Sequence, residues 1–253
     1  MSPHADSAWH NSDDFWALFE EILFSPGRLA AAQAEVDQIS SLLSIGDGAR
    51  ILDLPCGVGR HALEFAQHGH VVVGIDRTAR YIERARAEAS RRSLDVTFEV
   101  GDMRAVCMPD TFDVVLNLFG SFGYFEQPED DRTVVEHMYA SLRPGGQFLI
   151  ETMGKEILAR DFRARDWSEE GDLLLLSERT IREHWSRVDT RWIVIRGTER
   201  FEHRVSVHSY SAAELSALLA GRGFGDIRVY GSLEGIPYDH AAQRLVVIGR
   251  KVS

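Results

Sequence analysis

Asp53, Gly57, Gly59 and Asp76 are the residues of this chain whose types and spacing point first to chemistry. Residues 53–61 read Asp-Leu-Pro-Cys-Gly-Val-Gly-Arg-His, between the apolar run at 49–52 and the helical pattern that starts near Ala62. A strand therefore ends in a carboxylate, turns through two glycines and enters a helix. Glycines in such a turn let a ligand approach the backbone with no Cβ in the way. In doubly wound sheets nucleosides bind outside the carboxyl end of the strand that feeds this turn. Asp76 ends the next apolar run, residues 71–75, where a carboxylate can accept from both ribose hydroxyls. A dinucleotide site needs a third glycine so that pyrophosphate can sit on the helix N-terminus. Leu63 stands at about that position. Asp53 repels pyrophosphate but suits a cationic amino group. The ligand described by these residues has a ribose, a positive charge and no phosphate, and S-adenosylmethionine fits that description.

A sheet of parallel strands is the scaffold that sets strand ends beside helix starts. Strands are predicted at 47–54, 70–76, 95–102, 112–119 and 147–153. Helices are predicted at 59–69, at 78–92 starting from Thr78, and from Pro128 to a Pro-Gly-Gly stop at 144–146. This alternation implies a parallel sheet with helices on both faces and right-handed crossovers. Ahead of it, Phe15, Leu18, Phe19, Ile22 and Leu23 mark one face of a helix. Asp13 or Asp14 is its expected cap and Ser25-Pro26-Gly27 its stop. A second amphipathic helix runs from about Arg28 to Leu43. After Met153 the alternation breaks. Residues 173–185, 186–197 and 198–210 read as successive strands without helices, hence antiparallel hairpins. A helix capped by Ser211 follows. Residues 225–231 and 243–251 are then two strands with no helix between them, so the last should run antiparallel to its neighbour.

Composition narrows the function classes. Lys and Arg total 28 against 39 Asp and Glu, a net charge of -11. Such a surface repels phosphate backbones, so no nucleic acid partner is expected. Cys56 and Cys107 are too few for a disulfide framework and form no zinc-type pair, which points to a reducing, cytoplasmic compartment. No histidine spacing suggests a metal site. The polar, acidic N-terminal stretch does not read as a secretory signal. No apolar run is long enough to span a bilayer, so no membrane partner is expected.

Over roughly residues 40–250 the chain resembles the class I S-adenosylmethionine-dependent methyltransferases. Residues 52–59 resemble the family's D-x-G-x-G-x-G loop, Gly74-Ile75-Asp76 its ribose carboxylate, and Gly101-Asp102-Met103 its adenine site. Residues 116–119 resemble the segment after strand four, 142–146 the turn before strand five, and 222–229 the turn into strand six. Pro55 departs from the family, which usually has its first glycine there. Proline removes an N–H, so any contact made through that amide is lost. The resemblance implies an α/β, Rossmann-like fold. Its sheet would have seven strands, mostly parallel with the last antiparallel, plus an N-terminal helical cover and an antiparallel β insertion after strand five. The corresponding divisions are 1–44, 45–153, 154–208 and 209–253. It also implies that Asp53 and the Gly57–Gly59 backbone hold the methionine moiety, with Asp53 acting through water on the amine. Pro55 and Cys56 belong to the same loop, Cys56 as a packing residue rather than a nucleophile. Asp76 would bind the ribose with Arg77 flanking the adenine. Asp102 would accept from the adenine amino group, and the Met103 amide would reach a ring nitrogen. Asn117 and Leu118 would approach the methionine end through their carbonyls. Trp16 or Phe19 would cover the cofactor.

Methyl transfer is an in-line displacement, and the protein's task is to align the acceptor and exclude water. Asn117-Leu118-Phe119-Gly120 lacks the Pro-Pro-aromatic segment of enzymes that methylate nucleic-acid bases, and two cysteines are too few for arsenic-type methylation. Residues 120–127 resemble the loop of small-molecule methyltransferases, including N-methyltransferases of amino sugars. Some of those have histidine where Tyr124 stands. A phenol with an unperturbed pKa of about 10 orients an acceptor rather than deprotonating it. In the same members the insertion covers the acceptor pocket and sometimes forms a dimer contact, so a homodimer through it is an expectation. His184, beside Trp185, and Glu151, at the end of strand five, are the further catalytic candidates. The expected reaction is transfer to a nitrogen or oxygen of a small organic metabolite, with nitrogen favoured. An NAD-dependent oxidoreductase is the rival enzyme, opposed by the missing glycine and the closing strand pair. A methyltransferase-like binding protein without catalysis is the other alternative, opposed by the retained cofactor residues.

Overall fold

The computed structural model of the protein describes residues 9–252. A short 3₁₀ turn, Trp9–Asn11, leads into α1 (Asp13–Leu23). Ser12 caps this helix by accepting from the Phe15 amide at 3.2 Å. Asp13 and Asp14 instead sit in its first turn, where the helix dipole favours negative charge. Helix α2 (Pro26–Leu43) begins two residues before its predicted start. Pro26 opens it, because a first-turn position needs no N–H.

The alternating region follows as β1 (Arg50–Asp53), α3 (Arg60–Gln67), β2 (Val71–Asp76), α4 (Ala79–Arg92), β3 (Val96–Val100), β4 (Phe112–Asn117), α5 (Pro128–Ser141) and β5 (Leu142–Thr152). Then come α6 (Lys155–Arg160), β6 (Arg165–Glu170), β7 (Leu173–Arg182), β8 (Arg187–Arg196), β9 (Glu199–His208), α7 (Ala212–Ala220), β10 (Phe224–Tyr230) and β11 (Leu245–Lys251).

The main sheet has seven strands in the order β10-β11-β5-β4-β1-β2-β3. Strand β11 is antiparallel to both neighbours, and the other pairings are parallel. Central strands covered on both faces read as continuous apolar runs; Ile51-Leu52 in β1 and Val115-Leu116 in β4 are fully buried. On one face α2, α3 and α4 contribute Val36, Ile39, Phe65 and Ile82. On the other, α5 and α7 contribute Val134, Val135, Leu215 and Leu219.

Strands β6–β9 form a separate four-stranded antiparallel sheet. Its first strand and α6 were not anticipated. Arg-Asp-Trp-Ser-Glu-Glu in β6 is charged at four of its six positions, and reads as a loop until β7 offers it a partner. The N-terminal segment does two different jobs. Helix α2 packs into the main core, whereas α1 joins Phe15, Trp16 and Phe19 to Leu173, Val194 and Val205 of the second sheet. Residues 1–8 of the expected 1–44 division, and Ser253 of the last, lie outside the described residues.

Candidate active site

A cavity partly open to solvent lies at the carboxyl ends of β1 to β4. Helix α1 and the Trp9–Asn11 turn lie across it. The loop after β1 forms its floor. Gly57 and Gly59 both have left-handed backbones, φ +55° and +76°. A Cβ on Gly57 would lie 2.8 Å from the Phe24 ring. A Cβ on Gly59 would lie 2.7 Å from the Phe98 ring, so Gly59 is required by packing at the start of α3 and does not line the cavity. The Leu54–Pro55 peptide is cis. The Cys56 amide donates to Ile75 O at 2.9 Å, tying the loop to β2. Burial pushes the Cys56 thiol far up, which keeps it inert as a nucleophile.

Asp76 is locked in place. Its Oδ2 accepts from the Gly57 amide at 3.0 Å and its Oδ1 from the Thr78 amide at 2.8 Å. Burial still holds its pKa above the ordinary value. Asp53 stands behind the cavity wall and is 1% exposed. Neither of its carboxylate oxygens has a well-aligned hydrogen bond among the described residues. Burial, reinforced by the Asp76 charge, pushes its pKa up to about 7 against the pull of Arg60 and the Ala62 amide.

Asp102, Met103 and Leu118 line the cavity. Asp102 is paired with Arg104 at 2.6 Å and also accepts from the Arg104 amide at 2.9 Å. These contacts outweigh burial and lower its pKa. Asn117 is fully buried and faces inward, its Nδ2 donating to Leu54 O at 2.9 Å. It holds the ends of β1 and β4 together rather than forming cavity wall. Arg77 also lines the cavity, donating to His10 O at 2.8 Å and Asn11 O at 3.2 Å. Trp16 lines the cavity and donates to His10 O at 2.9 Å, whereas Phe19 turns toward Trp192, with ring centroids 4.7 Å apart.

Of the catalytic candidates, Tyr124 lines the cavity, 4.9 Å from the Trp9 ring. Burial pushes its phenol up to about 12. Glu151 and His184 are placed elsewhere. Glu151 is buried beneath the loop after β4, its Oε2 accepting from the Phe119 amide at 3.0 Å and its Oε1 paired with Arg244 at 3.3 Å. Those partners fix the loop, and Glu151 itself is not among the cavity-lining residues. His184 is exposed in the turn between β7 and β8, at the end of the insertion hairpin.

Sequence reasoning missed His10, Phe24, Arg60, His61, Tyr81 and Phe119, all of which line the cavity. Arg60 and His61 were findable as the first residues of the helix leaving the glycine loop. Arg60 Nη1 bonds Glu35 and donates to Arg28 O at 3.1 Å. Its guanidinium and that of Arg28 each lie 5.0 Å from the centre of the Phe119 ring. His61 Nε2 lies 2.8 Å from Glu35 Oε2.

Residues 51–146 match the family model described as a methyltransferase domain. The chain is 29% identical over 131 residues to the dTDP-3-amino-3,4,6-trideoxy-alpha-D-glucopyranose N,N-dimethyltransferase of Streptomyces venezuelae, covering 51% of this chain and 54% of that protein. It thus spans about half the length of this curated relative. It is 24% identical over 228 residues to the cypemycin N-terminal methyltransferase of a Streptomyces species, covering 84% of this chain and 92% of that one. The structure of SAM-bound CalS10, an amino pentose methyltransferase from Micromonospora echinaspora, superposes with a TM-score of 0.69 at 23% identity, covering 99% of this chain and 100% of that one. That likeness shows the fold. Over residues 51–146 the chain is thus similar to that methyltransferase-domain family.

Proposed function

We propose that the protein transfers a methyl group from S-adenosylmethionine to an amino nitrogen of a small sugar-like metabolite. The observation that carries the cofactor reading is Asp53, a buried carboxylate without a well-aligned partner, behind a glycine turn that Asp76 holds open. That cradle fits a ribose and a cation. The acceptor class is supported by the loop at 120–127 and by the amino-sugar relative.

S-adenosylmethionine, when bound, supplies a methyl group on a positively charged sulfur. The chain's residues supply placement. Asp53, behind the wall, would hold the cationic amine through water. Asp76, its carboxylate already oriented by two amides, accepts from the ribose hydroxyls. Trp16, Leu118, Phe119 and Tyr124 wall the cavity against water and keep the acceptor nitrogen on line with the methyl carbon. With its proton held at neutral pH, Tyr124 donates a hydrogen bond and orients the acceptor.

The test pairs calorimetry with turnover. Expected are uptake of S-adenosylhomocysteine but not NAD, and methylation of dTDP-3-amino-3,4,6-trideoxyglucose. Asp76→Ala should weaken S-adenosylhomocysteine at least tenfold, about 1.4 kcal/mol. Absence of S-adenosylhomocysteine uptake rejects the cofactor reading. Methylation of only hydroxyl sugars or peptide amines rejects the acceptor class.

A further inference from the structure

A sugar amine carries its proton near neutral pH and then has no lone pair to attack with, and every methyl added to nitrogen releases one proton. The cavity holds few groups able to take it. Asp76 is tied to two amides and Asp102 is paired with Arg104. Tyr124 keeps its proton, and the Tyr81 hydroxyl donates to Trp16 O at 2.7 Å. Two imidazoles remain, His10 and His61. His10 lies at the nucleoside end, within the fields of Arg104, Asp102, Arg77 and Asp130. His61 lies at the β4 end, where the loop bearing Leu118 and Phe119 meets the cavity. It feels Glu151, whose carboxylate holds the Phe119 amide, and its neighbour Arg60 sits over the Phe119 ring.

We propose that His61, oriented by Glu35, is the catalytic base that deprotonates the amino acceptor. This rests on the amino-nitrogen reading above. The Nε2 of His61 is 2.8 Å from Glu35 Oε2. Hydrogen bonds from His61 and the Arg60 charge overcome burial and bring Glu35 down to about 2, so it is an acceptor at neutral pH. Nε2 therefore carries the ring proton and Nδ1 the lone pair. Nδ1 has no hydrogen-bond partner among the described residues, and the side chain lines the cavity. The charged groups facing the ring are Glu35 from α2, Arg60 from α3 and Glu151 from β5. Burial and Arg60 keep the imidazole neutral at rest, while Glu35 and Glu151 steady the imidazolium once it forms. The ammonium of the acceptor gives one proton to Nδ1. Its freed lone pair forms the N–C bond to the methyl carbon as the C–S bond breaks and its electron pair stays on sulfur. His61 then passes its proton to solvent and is ready for the next round. Glu35 is a positioning residue.

Three measurements on the full chain test this. In nitrogen NMR of histidine-labelled protein with S-adenosylhomocysteine, His61 should be neutral and protonated on Nε2 at pH 7, and Glu35→Gln should mix the tautomers. A His61 imidazolium at pH 7, or an Nδ1-protonated ring, overturns the proposal. By calorimetry, His61→Asn should bind S-adenosylhomocysteine within about threefold of the parent, which also reports folding. A tenfold or greater loss would make His61 a cofactor-binding group instead and reject the base. With dTDP-3-amino-3,4,6-trideoxyglucose, His61→Asn should lower kcat about 100-fold at pH 7 and regain about tenfold per pH unit as free amine accumulates. An unchanged pH profile in an active variant rejects the base, whereas an inactive parent that still binds S-adenosylhomocysteine rejects the acceptor reading itself.

Discussion

Asp53 is a strained residue with a use. Its carboxyl is buried, lacks a well-aligned partner and is pushed up to about 7. An aspartate in an unfolded chain titrates at about 3.9. Between about pH 4 and 7 the folded state therefore binds the proton more tightly than the unfolded state. The stability this gives is complete below about pH 4 and is lost as pH rises through 7. Asp53→Asn removes a charge that is unfavourable in the free protein. The variant should melt higher than the parent at pH 8, with the gap closing toward pH 5 in thermal scans. The full effect is of order a few kcal/mol, at about 1.4 kcal/mol per pH unit of displacement. The same variant should bind S-adenosylmethionine at least tenfold more weakly at pH 8 by calorimetry, because the cationic amine loses its counter-charge. A parallel gain in stability and affinity would contradict the role given to Asp53.

At the scale of elements, the loop after β4 and the second sheet are fastened at Gly123. The His208 amide donates to Gly123 O at 2.7 Å, and a Cβ on Gly123 would lie 2.2 Å from His208 O, at φ +97°. Beneath this junction Tyr210 donates to buried Asp131 at 2.8 Å. Gly123→Ala forces backbone apart in a conformation alanine disfavours. It should cost about 3 kcal/mol, lowering Tm by roughly 6–12 °C in calorimetric scans. A change under 2 °C would show that the junction yields freely. Elements with local signals were legible in the sequence. Ser211 and Glu214 form a complete capping box at α7, and the apolar runs of β1, β4 and β11 fall at interior positions of the sheet. Among the cavity-lining residues, Gly57, Asp76, Asp102, Trp16 and Tyr124 could be picked from pattern and resemblance. His184 could not be placed, because alternation along a hairpin does not say where its turn points. Glu151 could not either, because its Phe119 and Arg244 partners are made only in the fold. Charged β6 and short α6 gave no apolar period. Arg60 and His61 owe their burial to Glu35, a neighbour far back in the chain.

At the scale of the whole molecule, α1 is the shared layer between the two sheets. The Trp9 indole donates to Ser206 O of β9 at 3.0 Å, and Arg77, just past β2, grips the carbonyls of His10 and Asn11. The cavity roof is thus held from both sheets at once. Arg77→Ala releases one side. Hydrogen exchange across residues 9–16 should quicken at least tenfold, and stopped-flow release of S-adenosylhomocysteine should speed up similarly, with Tm shifting by less than about 2 °C. Unchanged exchange would mean that Trp9 and the aromatic packing of α1 hold the roof alone. No helix among the described residues is long and apolar enough to cross a membrane.

Strand β11 is wedged between β5 and β10, yet it is translated after every other strand of that sheet. While it is still inside the ribosome, β5 has one flank of unpaired amides and carbonyls, and β10 has no neighbour to rest on. The nascent protein therefore carries a sticky seam until β11 emerges. Pausing between β10 and β11 would prolong that interval, which is the window in which a chaperone has the most to protect.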